Sequence, residues 1–260
     1  MNSFHSNYKI GKMIGSGFSS YVYECLHLFT NTKYACKLVT RNIFKKNMND
    51  ENIPQQCNHP NINKIYEVYY QNYENRSVKY IISELGKGDL FTYLENNNSK
   101  LSENEAKHII KQMTMSINYL HDNNICHRDI KLQNFIYNEN TEIKLIDFEF
   151  AQDMNKEPIM LGRKGTLSYI APEMFSNNKY CNKIDIWSLG VCSYMLLTNQ
   201  NPVIKDYYKT DKLNFNIDFN IKELDNVSSE CKDFLKNLLQ KKPEKRLSSN
   251  EALNHNWLVY

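Results

Sequence analysis

The sequence predicts an α+β fold in two parts, a mostly β N-terminal part at about residues 8–84 and a mainly helical part at about 87–258. Three observations predict it. β-Branched and aromatic residues gather in five runs, at 8–14, 20–28, 33–39, 65–71 and 77–83, with turn residues between them, as an antiparallel sheet requires. From LSENEAKHIIKQMTMSINYLHD onward the apolar period becomes helical, and Ser102 with Glu105 has the spacing of a capping box. The 260 residues carry no proline-rich linker and no internal repeat, so a single domain is expected.

The first two runs meet at IGSGFSSYV, residues 14–22. A strand turning tightly over a phosphate needs residues that let backbone N–H groups approach it, and Gly15 and Gly17 meet that need while Ser20 is small. A plain hairpin turn reads the same way. Ile14 and Val22 flank the turn with apolar surface. The third run, YACK, contributes Ala35 and places Lys37 fifteen residues beyond Val22. Lys37 is followed after 22 residues by His59, and the helix expected between them should be short or broken, because Pro54 falls inside it. An interior proline loses a hydrogen bond and clashes with the preceding turn, costing about 3 kcal/mol. The fifth run ends at Ser83 and Glu84, and Gly86 follows in the connection to the helical part.

Residues 127–148, HRDIKLQNFIYNENTEIKLIDF, are the most informative stretch. Phosphoryl transfer needs an in-line hydroxyl and neutralised phosphate oxygens, with little covalent help from the protein. Asp129, Lys131, Asn134 and Asp147 stand at suitable offsets: a carboxylate to accept the hydroxyl proton, a cation facing the transferred group, and two hard oxygen donors for magnesium. Singly, each such residue is more often a solvated loop residue or a helix cap.

As a set they resemble the catalytic and metal-binding loops of eukaryotic protein kinases. The resemblance extends to the glycine-rich segment, to the alanine and lysine of YACK, to GTLSYIAPE at 165–173, to DIWSLGV at 185–191, and to Arg246, which matches the arginine that pairs with Glu173. It spans residues 8–258 and is closest to the serine/threonine class, in its calcium-dependent and calmodulin-dependent group. It implies a bilobal kinase fold that binds ATP and Mg2+ in the cleft. Asp129, Lys131 and Thr166 would be catalytic. Ile14, Gly15, Gly17, Val22, Ala35, Lys37, Ser83, Glu84, Gly86 and Ile136 would hold the nucleotide, and Asn134 and Asp147 the metal. Ser83 would be a small gatekeeper that opens a pocket behind the adenine. Protein substrates presenting Ser or Thr are implied. Asp89 points to a basic motif in them, although Gln133 replaces another common acidic position.

Departures from the family pattern shape further expectations. Glu149 replaces the glycine of DFG, and a positive φ there would cost about 1–2 kcal/mol. Either Asp50 or Glu51 would pair with Lys37. Residues 148–164 hold no Ser, Thr or Tyr, so phosphorylation of that stretch cannot activate the chain, and Glu157 is expected to pair with Arg128 instead. These departures keep a second reading open, a nucleotide-binding pseudokinase acting as a scaffold or allosteric partner.

Composition narrows the setting. A net charge of +3, dispersed along the chain, argues against nucleic acid as partner. No EF-hand loop is present in these residues, so any calcium control would act through a separate sensing chain or a part not present here. No apolar run approaches 18 residues, no leader opens the chain and Asn2 excludes N-myristoylation, so no membrane partner is expected. Seven scattered cysteines without C-x-x-C read as reduced thiols, which suits the cytoplasm or nucleus. Asparagine occupies 36 positions, as in proteins of A+T-rich genomes such as those of apicomplexan parasites, and falls mostly between the periodic segments.

Overall fold

In the computed structural model, residues 3–17, 20–39, 49–73, 76–96, 101–176, 178–203 and 215–260 are described. Strands β1 (Tyr8–Ser16), β2 (Ser20–His27), β3 (Lys33–Val39), β4 (Ile65–Tyr73) and β5 (Arg76–Ser83) form an antiparallel sheet in the order β1-β2-β3-β5-β4. Strand register decides which residues share a face, because side chains alternate. Val22 lies opposite Lys37, which lies opposite Ile81, and Ala35 lies opposite Ser83. Those five residues therefore share the face turned toward the cleft. The other face buries Cys25, Cys36, Val78, Tyr80 and Ile82.

A short helix, α1 (Phe4–Asn7), closes that second face. The Phe4 ring is fully buried and stacks on Tyr80 at 4.1 Å and on Tyr8 at 5.6 Å between centroids. Helix α2 (Asn49–Gln56) is eight residues long and contains Pro54, so the helix between β3 and β4 is short. The side chains of Asp50 and Glu51 lie outside the described residues, and with them the expected pairing to Lys37.

The second lobe begins with β6 (Gly88–Asp89), α3 (Leu90–Asn96) and α4 (Glu103–Asp122). The Ser102 hydroxyl accepts from the Glu105 N–H, and the Glu105 carboxylate accepts from the Ser102 N–H, which completes the capping box. Strands β7 (Ile125–Cys126), β8 (Phe135–Tyr137), β9 (Ile143–Leu145) and β10 (Gln152–Asp153) carry the loops of the cleft. Helix α5 (Lys183–Thr198) is apolar all round, and nearly all of it is buried, as a central core helix must be. Helices α6 (Ser229–Leu238), α7 (Ser249–Leu253) and α8 (Asn256–Val259) complete the lobe.

The lobes are tied together by the segment before β4. Asn61 O accepts from Leu145 N, and Leu145 O accepts from Asn63 N, both at 2.9 Å. The buried Asn61 amide donates to Ile143 O and to Gln112 Oε1. Strand β9 is thereby clamped two residues before Asp147.

Candidate active site

The loop after β7 hangs from one carboxylate in α5. Asp185 is buried and accepts from the N–H of His127 (2.8 Å), the N–H of Arg128 (2.9 Å), His121 Nε2 (3.0 Å) and Cys126 Sγ (3.3 Å). Burial pushes its pKa up, but the hydrogen bond and charge of His121, with the donors from His127, outweigh burial and hold it below the ordinary carboxylate value. His127 Nδ1 accepts from Asp129 N, so Nε2 carries the proton given to Ile146 O at 3.2 Å. The ring packs edge-on against the buried Phe148 at 5.0 Å. One imidazole thus joins the backbone just before Asp129 to the backbone just before Asp147.

That suspension places Asp129 at the centre of a bonded set. Its Oδ1 accepts from Thr166 Oγ1 at 2.9 Å, and its Oδ2 from Lys131 Nζ at 2.7 Å and Asn134 Nδ2 at 3.2 Å. Lys131 also reaches Thr166 Oγ1 at 3.0 Å, and Asn134 Nδ2 bonds Asp129 O at 2.8 Å. Gly165 packs hard against this loop with φ +90°, and an added Cβ would lie 2.4 Å from Arg128 O. Only glycine fits there.

Asp147 faces the first lobe. Lys37 Nζ donates to its Oδ1 at 2.9 Å, and Ile146 N donates to Asn134 O, which brings the two oxygen-bearing side chains onto adjoining turns. Burial would raise the Asp147 carboxyl, but Lys37, aided by His127 and Lys131, lowers it overall. Left-handed backbone falls on Asp147 (φ 64°) and Arg128 (φ 65°), not on Glu149. The strain expected at Glu149 is therefore absent. It sits two residues earlier on Asp147, a residue type that tolerates the conformation, and on Arg128, where it costs about 1–2 kcal/mol.

The remaining nucleotide-site candidates lie around the cleft. Ile14 is exposed on β1, Gly15 pairs with Val22, and Gly17 N donates to Ser20 O at 2.8 Å in the turn. Ser83 is half-buried between Ala35 and Ile65 at the end of β5. Glu84 follows, with its carboxylate on Lys144 at 2.6 Å. Gly86 lies against Ile136 of β8, where a Cβ would come within 2.8 Å of the Ile136 Cβ.

The segment from Phe148 to Gly165 is held by Arg128 together with the uncharged Gln152 and Tyr180. Arg128 Nε donates to Phe150 O at 2.6 Å, and the charge of its guanidinium acts on the nearby Tyr180 hydroxyl. Glu157 is exposed and forms no ion pair with Arg128 among the described residues, so that expected pairing is replaced by the Phe150 carbonyl. Tyr180 donates onward to Gly162 O at 2.9 Å, and the buried Gln152 amide donates to Glu157 O and Ile159 O. Arg246, fully buried, grips Glu173 with two bonds of 2.6 and 3.0 Å and lies over the Trp187 ring at 5.2 Å. Sequence reasoning missed Asn61, Gln112, Gln152 and Tyr180, whose bonds go largely to backbone atoms brought near by the fold and leave no sequence pattern.

A loop that sets a carboxylate between a lysine and a threonine, facing a second carboxylate bound by a strand lysine, defines a phosphotransferase site. The protein kinase domain family matches residues 8–258. The chain belongs to that family. It is 34% identical over 269 residues to Death-associated protein kinase 2 of Mus musculus, covering 97% of this chain and 71% of that protein. It is 31% identical over 263 residues to Probable serine/threonine-protein kinase pXi of Dictyostelium discoideum, covering 99% of this chain and 37% of that protein. Serine/threonine-protein kinase DCLK3 of Mus musculus is 35% identical over 267 residues, with 97% and 33% covered. The chain thus spans about a third of two of these relatives.

Proposed function

We propose that this chain transfers the γ-phosphoryl group of ATP to serine and threonine hydroxyls of proteins. The observation that carries the reading is the bonded set of Asp129, Lys131, Thr166 and Asn134, assembled around one buried carboxylate. Asp129 accepts the proton of the acceptor hydroxyl, and Thr166 and Lys131 hold both of its oxygens in place. Lys131 faces the transferred group, and Lys37 steadies the α- and β-phosphates. Asn134 and Asp147 offer the hard oxygen donors that suit magnesium, and the depressed pKa keeps Asp147 ionised for that purpose. Magnesium-bound ATP supplies the phosphoryl group and, through the metal, offsets its charge. Val22, Ala35 and Ser83 border the adenine on the shared face of the sheet, with Ile136 opposite. All seven cysteines are free, in keeping with a cytoplasmic or nuclear location. Any calcium control would come from a separate sensing chain or from a part of the protein outside these 260 residues.

The test is magnesium-dependent transfer from labelled ATP to Ser/Thr peptides, comparing wild type with Asp129→Asn. The variant should turn over about 10²–10⁴-fold more slowly. Equal rates would remove Asp129 from the chemistry. A second reading, a nucleotide-binding scaffold without turnover, is favoured by Pro54 within the short α2. It predicts that ATP raises the melting temperature while neither form transfers phosphate.

A further inference from the structure

Arg163 and Lys164 end the segment that leads into Thr166. The residue between them and Thr166, Gly165, lies so close to the catalytic loop that an added Cβ would be 3.2 Å from Asp129 Oδ1. Side chains at 163 and 164 therefore flank the place where an acceptor hydroxyl would sit. Both are exposed. Arg163 lies over the Phe175 ring at 5.4 Å and Lys164 over Phe150 at 6.0 Å, and neither forms an ion pair among the described residues. Leu161, Leu167 and Phe175 expose apolar surface beside them, which supports the cations at the mouth of the site.

The carboxylates that would favour a basic substrate are engaged elsewhere. Asp89 has one oxygen on Thr92 N and the other on Thr92 Oγ1, both at 2.9 Å, which caps α3. Glu84 is held by Lys144, Glu173 by Arg246 and Asp153 by Lys156. Residues 133 and 168 are an uncharged Gln and Ser. The acceptor side of the cleft is thus bordered by two cations that have no carboxylate of their own among the described residues.

We propose that Arg163 and Lys164 select protein substrates that carry an aspartate or glutamate close to the acceptor Ser or Thr. The inference rests on the kinase reading for its setting and is tested separately from it. Exposed charge pairs are each modest and screened by salt, so two of them should give about a tenfold preference.

The experiment uses two peptide series with the same acceptor and either Asp or Lys at each flanking position. Binding is read by fluorescence anisotropy and transfer by kcat/KM, for wild type, Arg163→Gln/Lys164→Gln and Arg163→Glu/Lys164→Glu. Wild type should favour the Asp series about tenfold in both readouts, with the margin shrinking at high salt. The neutral variant should lose the preference and the acidic one should reverse it. Equal or Lys-favouring behaviour of wild type, or variants that keep the wild-type preference, would overturn the proposal. A charge preference in binding without any transfer would sink the kinase reading and leave this inference standing. Transfer without charge preference would do the opposite.

Discussion

The two walls of the cleft are built by different means. On the C-lobe side, Asp129, Lys131, Asn134 and Thr166 are bonded to one another and suspended from Asp185, a carboxylate that is 1% exposed and shared by four donors from residues 121–128. On the N-lobe side, Val22, Ala35, Lys37 and Ser83 share a face only because strand register puts them there. The helix beside that sheet is eight residues long and contains a proline. A buried polar network that is fully satisfied admits one arrangement, whereas a sheet face beside a short helix can shift. The half that would perform the proposed chemistry is preassembled, and adjustment is left to the half that would hold the nucleotide.

The sharpest way to break this contrast is to cut the suspension. Asp185→Ala leaves buried donors without an acceptor and should cost about 3–5 kcal/mol in urea unfolding. The pH dependence has a definite sign. Because the folded pKa is depressed, Asp185 contributes stability above the ordinary carboxylate value, and this is lost as pH falls through the lower folded value. Wild type should lose stability faster than Asp185→Asn over that acid range. Parallel curves would mean the carboxylate is not what holds the loop.

The opposite change probes the N-lobe wall. Pro54→Ala restores a backbone donor inside α2 and should stabilise the protein by about 3 kcal/mol, with more helical circular dichroism and a lower KM for ATP. No gain in helicity would show that α2 is limited by its packing rather than by its proline. The smallest expected change in ATP affinity comes from Ser83→Met. It should leave ATP binding nearly unaltered while abolishing inhibition by adenine mimics with bulky substituents. Equal inhibition of both forms would mean that no pocket opens behind Ser83.

Much of the sheet was legible because alternation of β-branched and aromatic residues is a local signal. The run expected at 33–39 coincides with β3, and the other strands differ by no more than two residues at either end. The capping box at Ser102 and the disrupting effect of Pro54 were legible for the same reason. Phe4 was not, since a four-residue helix has no period to detect and its role depends on rings from β1 and β5. Asn61 and Gln112 look like surface residues in a chain with asparagine at 36 positions, and only the fold shows that they clamp β9. The offsets of Asp129, Lys131, Asn134 and Asp147 are local and were readable. The displacement of backbone strain from Glu149 to Asp147, and the choice of Phe150 O over Glu157 by Arg128, depend on how the segment closes in three dimensions.

The central claim is that the catalytic half stands assembled without a phosphate on the segment between Asp147 and Gly165, held instead by Gln152, Tyr180 and Arg128. It is tested most directly by the time course of peptide phosphorylation using chain verified as unphosphorylated by mass spectrometry, with and without prior incubation in ATP and magnesium. The account predicts linear progress from the first turnover and the same kcat in both samples. A lag that prior incubation removes, accompanied by a new phosphate on the chain, would contradict it.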